Sequence, residues 1–245
     1  MDAVARWTGI VAGDAQCEAA DGPVTEPVAA VTSLAFVVGA LVVLLVARRT
    51  DPAGAGVRRV GTYAALVAAT GVGSAVEHGP DPAWSDVAHD FPLLATLAFL
   101  VADAAADLGG RTRVWWWWAL PAGGLVPVVV LAPRAGDLAQ VGVAVAAVGL
   151  TVLRARARPP LRPSVTLALA LLVVGAAVGT MSRPGLPWCD PSTPWQGHGV
   201  WHVLAAAALV VLGSTVGRVG FGAGVSAAAP VRSRARARAR GRARA

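Results

Sequence analysis

The sequence has no lysine, a single tyrosine, two cysteines and four histidines among its 245 residues. Every basic side chain is an arginine, and with so much alanine, glycine and valine the composition is that of a GC-rich, bacterial genome. Missing lysine excludes one seven-helix class, because a retinal protein needs a lysine amine for its Schiff base. Charge of either sign is scarce too. Only 14% of residues are charged and 56% are hydrophobic, with a mean hydropathy of +0.60, whereas a soluble domain carries about a quarter charged residues. An ordinary soluble domain is therefore excluded. Residues 1–27 lack an apolar block long enough for a signal peptide.

What the chain does have is long apolar blocks. They run over residues 28–47, 60–78, 86–106, 114–132, 137–154, 164–182 and 198–216, each near the ~20 residues that cross a hydrocarbon core. The expected fold is an all-α membrane protein, a seven-transmembrane helix bundle over residues 28–216. Arginines set its orientation. Arg48, Arg49, Arg58 and Arg59 lie in the first connection, Arg111 and Arg113 in the third, and Arg154, Arg156, Arg158 and Arg162 in the fifth. The second carries Glu77, Asp81 and Asp86, and the fourth and sixth carry one arginine each. Basic connections alternate with the others, so the N-terminus is expected outside and the C-terminus in the cytoplasm of a multi-pass plasma-membrane protein.

Residues 1–27 then form an extracytoplasmic segment, and residues 217–245 an arginine-rich, low-complexity cytoplasmic tail without a core-forming pattern. Such a tail suits anionic lipid headgroups better than nucleic acid. Trp115 to Trp118, and Trp84, Trp188, Trp195 and Trp201, fall near the ends of blocks as interfacial anchors would.

The histidines are not scattered. His78 and His89 fall in GSAVEHGPDPAWSDVAHDFP, and His198 and His202 in WCDPSTPWQGHGVWH. With the expected topology all four reach similar depth in the outer half of the bundle. His198 and His202 are i and i+4, which stacks both imidazoles on one helix face. Three imidazoles with one open position is the usual catalytic zinc arrangement, in which a water of pKa near ~7 can attack a carbonyl. His78, His198 and His202 are the expected ligands. Asp90 is the candidate general base, and Ser74, one turn before His78, a candidate donor to an oxyanion. His89 reads first as an interfacial histidine and second as a support to the ligands. Glu77 is about 100° round the helix from His78 and is left out of the site. Cys17 and Cys189 by themselves leave both a disulfide and buried thiols open.

Taken together, Cys17-Glu18, Glu26-Pro27, SAVEH (Ser74 to His78), HDFP (His89 to Pro92) and WQGHGVWH (Trp195 to His202) follow the order seen in alkaline ceramidases. The chain resembles that family over about residues 15–216, and with it the wider seven-helix superfamily that includes the progestin and adiponectin receptors. The resemblance implies zinc held by His78, His198 and His202, amide hydrolysis assisted by Ser74 and Asp90, and a lipid substrate drawn from the bilayer. It also implies a Cys17–Cys189 disulfide, and the arginine pattern places both cysteines outside, where disulfides persist. Ala29 and Ser33 stand where family members often carry asparagine. Some members bind calcium through N-terminal carboxylates, and Glu18, Asp21 and Glu26 are the candidates for that role here.

The leading expectation is a zinc-dependent hydrolase of ceramide-like or other N-acyl lipids. A non-catalytic, zinc-stabilised receptor or lipid-binding protein is the alternative, with His89 as a fourth ligand. Haem ligation is the third class, which would leave the second histidine of the pair, the serine and the aspartate without a task.

Overall fold

The computed structural model of the protein describes residues 16–18, 22–51 and 53–217. Asp21, most of the N-terminal segment and the tail from residue 218 lie outside the described residues. Among the described residues there are seven α-helices and no strands. They are α1 (Pro27–Thr50), α2 (Ala55–Glu77), α3 (Ser85–Leu108), α4 (Trp116–Leu131), α5 (Pro133–Ala157), α6 (Arg162–Met181) and α7 (Gly197–Gly213), with a 3₁₀ turn at Pro159–Leu161 before α6. The helices start and stop within a few residues of the apolar blocks. Four stretches are long and apolar enough to cross a membrane: α1, α3, α5, and Pro159–Met181, which contains α6. At 16 and 17 residues, α4 and α7 are apolar but shorter. Helix α2, which carries Arg58, Arg59, Ser74 and Glu77, is outside both groups.

Helix α1 shows how such a sequence packs. Its buried face is Ala29, Ser33, Phe36, Gly39, Ala40, Val43 and Ala47, mostly small residues. Val31, Leu34, Val38, Leu41 and Leu45 point outward at helical spacing. In water that outer stripe would be a large apolar patch. In lipid it is the expected arrangement, since small residues let helices approach while large ones face the acyl chains.

Helix α1 packs on α2 and α7, α6 on α7, α2 on α3, and α3 in turn on α4 and α5. The core between them is built on Tyr63, Phe99, Val60 and Val67. Tyr63 donates its hydroxyl to the Leu209 carbonyl at 2.6 Å, which joins α2 to α7. Two glycines allow close helix approaches near the histidines. A methyl group at Gly73 would fall 1.9 Å from the Ala88 carbonyl oxygen of α3, and one at Gly199 would press on Val28 and Thr32 of α1.

Several arginines expected in connections lie within helix ends, Arg48, Arg49, Arg58, Arg59, Arg156 and Arg162 among them, and one is buried. That one, Arg154, is inside α5 and only 4% exposed. Its Nη1 donates to Asp103 at 2.9 Å and its Nε to Asp107 at 2.7 Å. Asp103 also accepts from Arg113 and from the Gly217 amide, and Asp107 from Arg158. A guanidinium can enter an apolar bundle when it is met by carboxylates of matching geometry, and α3 supplies two, one turn apart. This network ties together the end of the bundle opposite the histidines.

Candidate metal centre

Three of the four histidines meet at one end of the bundle. His78 closes α2, its amide bonded to the Ser74 carbonyl at 3.0 Å. His198 and His202 lie in the first two turns of α7, on one face. One ring nitrogen from each of His78, His198 and His202 can be chosen so that all three lie within 4.8 Å of one another. His78 Nε2 and His198 Nε2 are 3.2 Å apart. Two nitrogens bound tetrahedrally at ~2.0–2.1 Å are themselves roughly 3.3 Å apart, so this pair already has the spacing of two zinc ligands.

On His78 and His202 the other ring nitrogen faces an acceptor, which leaves Nε2 free to bind. Glu26 Oε2 lies 2.7 Å from His78 Nδ1. His202 Nδ1 lies 3.1 Å from the Ala29 carbonyl, with the hydroxyls of Thr32 and Ser33 each at 3.3 Å. A carboxylate or carbonyl on the far nitrogen fixes tautomer and ring orientation, as it does around bound metals generally. The residues present therefore fit a metal ion: three imidazoles, buried or half-buried, with two of them braced from behind. Imidazole suits zinc, copper, iron and nickel alike, and the donor set alone does not choose among them.

Ser74 is buried and joins this centre, its hydroxyl 3.5 Å from His202 Nε2 and 2.8 Å from the Ser33 hydroxyl. Asp90 and His89 form a neighbouring group. His89 Nδ1 lies 3.1 Å from Asp90 Oδ1 and 2.7 Å from Glu77 Oε2, and its ring is 6.3 Å from that of His78. Asp90 also borders a narrow apolar gap beside Phe91, Leu94, Val126 and Val129. The structure thus brings Ser74 to His202 of the set, and pairs Asp90 with His89, whose ring is 6.3 Å from that of His78.

Three residues take positions that the sequence did not foretell. Ser33 of α1 touches both Ser74 and His202. Glu77 was set aside for its angle to His78, but that same angle turns it toward α3 and His89. Glu26, a calcium candidate by resemblance, stands on His78. Its companion Glu18 instead caps α1, accepting from the amides of Val28 at 2.5 Å and Ala29 at 3.1 Å. A helix N-terminus attracts a carboxylate for this reason, its first amides lacking partners within the helix.

Cys17 and Cys189 are joined in a disulfide. It links the strand of chain before α1 to the α6–α7 loop, and so closes over the end where the histidines meet. In that loop Asp190 accepts from the Ser192 hydroxyl and amide, which hold its carboxyl below the usual range.

No protein-family model and no curated protein matches this chain. Function is therefore argued from the site.

Proposed function

We propose that the chain is a seven-span membrane hydrolase that cleaves the amide bond of a ceramide-like or other N-acyl lipid at a zinc ion held by His78, His198 and His202. The observation that carries this proposal is the convergence of three imidazoles, two of them 3.2 Å apart at Nε2, beside the Ser74 hydroxyl. Such a three-histidine set leaves a position for water and substrate. Zinc held there supplies Lewis acidity and brings the pKa of a water to near ~7.

The chain's own groups do the rest. In the resting site Ser74 donates to Ser33, which itself donates to the Ala29 carbonyl, and Ser74 would turn that proton toward the substrate carbonyl oxygen as negative charge grows on it. Asp90 takes the proton that the attacking water loses and returns it to the departing amine as the C–N bond breaks. His89, between Asp90 and Glu77, orients the carboxylate. The scissile amide reaches this depth from the bilayer, which accounts for a catalytic set buried at one end of an apolar bundle. In the same proposal the N-terminus and the disulfide face outward from a bacterial plasma membrane, and α2, α4 and α7 complete the seven spans as inner or shortened members.

A closed, structural zinc site needs a fourth protein ligand. His89 is the candidate for that place, but it is outside the group of three whose ligand nitrogens meet. That favours catalysis over a purely structural ion. The test is hydrolysis by purified protein in mixed micelles of ceramide and other N-acyl lipids. Release of fatty acid that stops on chelation and returns with zinc is the expected result. A zinc-loaded protein that releases no fatty acid from any N-acyl lipid would overturn the hydrolase.

A further inference from the structure

We infer that Glu26 is a positioning residue for the metal ligand His78, delivered to it by a strap of chain, residues 22–26, that leads into α1. The inference rests on the metal centre proposed above, but not on what that centre does to a lipid.

The described residues before α1 are fixed at several points. Cys17 is bonded to Cys189, and Glu18 caps the first amides of α1. Further along, Thr25 donates its amide to the Gly79 carbonyl at 2.9 Å and its hydroxyl to the His78 carbonyl at 2.9 Å. Glu26 donates its amide to the same His78 carbonyl at 2.8 Å. The turn that ends α2 is therefore held by backbone bonds from the strap, and the Glu26 side chain then comes round to the imidazole. Its Oε2 is 2.7 Å from His78 Nδ1, both side chains being largely buried.

This geometry assigns opposite tasks to the two nitrogens of His78. Nε2 faces His198 and the centre, and Nδ1 faces the carboxylate. The contact is a close charge approach and not a formed hydrogen bond, Oε2 having no hydrogen-bond partner among the described residues; a carboxylate this near still favours a proton on Nδ1 and so makes Nε2 the better electron donor. His202 has a neutral carbonyl in the equivalent place. Glu26 is thus the charged brace of the set, and one that comes from outside the helix carrying its histidine.

The experiment is zinc affinity by chelator competition on the full-length, disulfide-intact protein, comparing wild type with Glu26→Gln, Glu26→Ala and Glu18→Gln. Loss of the charged brace predicts affinity about 10- to 100-fold weaker for Glu26→Ala. Glu26→Gln, which keeps shape and an acceptor oxygen, should recover part of that loss. Cobalt-substituted protein should show a changed ligand-field spectrum in the Glu26 variants. Glu18→Gln weakens the helix cap but leaves the brace, and should bind zinc within about twofold of wild type. Wild-type affinity in both Glu26 variants would overturn the inference. So would an equal loss in Glu18→Gln, because that would point to a loosened strap and not to the carboxylate. A wild-type protein that takes up no zinc would remove the metal centre itself, whereas a zinc-binding protein without lipid turnover would leave Glu26 in its role.

Discussion

Ser33 of α1 and Ser74 of α2 stand hydroxyl to hydroxyl, 2.8 Å apart, at the edge of the three-histidine centre. Ser33 also bonds the Ala29 carbonyl at 2.8 Å, and its oxygen is 3.3 Å from His202 Nδ1. The pair carries polarity from the α1 backbone to the one hydroxyl that faces the proposed substrate. Ser74→Ala is expected to lower kcat by about 10²- to 10³-fold, the usual loss for an oxyanion donor, with zinc content unchanged. Ser33→Ala should give a smaller loss in the same parameter. Steady-state kinetics beside metal analysis check both, and full kcat in Ser74→Ala would remove the serine from catalysis.

Asp90 pairs with His89 and is outside the group of three ligands, so its loss should separate binding from chemistry. Asp90→Asn keeps nearly the same volume. It is expected to hold zinc as wild type does but to lose about 10²- to 10⁴-fold in turnover, the range for a general base. A purified Asp90→Asn protein with normal turnover would remove Asp90 from the mechanism.

At the other end of the bundle, Arg154 is held by Asp103 and Asp107. Removing one member of a buried ionic set leaves the others uncompensated, at a cost of about 3–5 kcal/mol. Arg154→Ala should therefore unfold at clearly lower temperature in detergent, followed by circular dichroism. Replacing Arg154, Asp103 and Asp107 together with apolar residues should recover only part of the loss, since Arg113 and Arg158 then lose their carboxylates. An Arg154→Ala protein as stable as wild type would show that the network adds nothing.

The Cys17–Cys189 disulfide spans a sequence separation of 172 residues. For a loop of that size the chain-entropy estimate is about 5 kcal/mol, an upper figure because helices persist when a membrane protein unfolds in detergent. Reduction is expected to lower the unfolding temperature and, by freeing the strap before Glu26, to weaken metal retention. Equal melting temperatures for oxidised and reduced protein would contradict the first expectation, and equal zinc loss rates the second.

The histidines were legible because they are rare and lie on an apolar background. Four imidazoles in two short stretches at the ends of apolar blocks leave few ways to be arranged, and the i, i+4 pair fixed a face by itself. The helices were legible for the same reason, since long apolar blocks on a weakly charged chain have one common outcome. What the sequence hid depends on which helix faces meet. Helix α1 turns small residues inward and large ones outward, so the usual amphipathic signal does not mark Ser33 as an inward position. Glu26 precedes α1 and reaches His78 only because the strap bonds back onto the end of α2. Arg154 sits at the end of an apolar block and reads as a loop arginine. Its true setting was signalled only by Asp103 and Asp107, one turn apart on a single face of α3.

The central claim is that His78, His198 and His202 hold one metal ion. It is tested most directly by metal content per chain on protein purified in mild detergent, with His202→Ala purified beside it. The prediction is about one zinc per wild-type chain and almost none in the variant, since loss of one of three ligands leaves too few to retain the ion. Wild-type protein free of zinc even after reconstitution with the metal would contradict it.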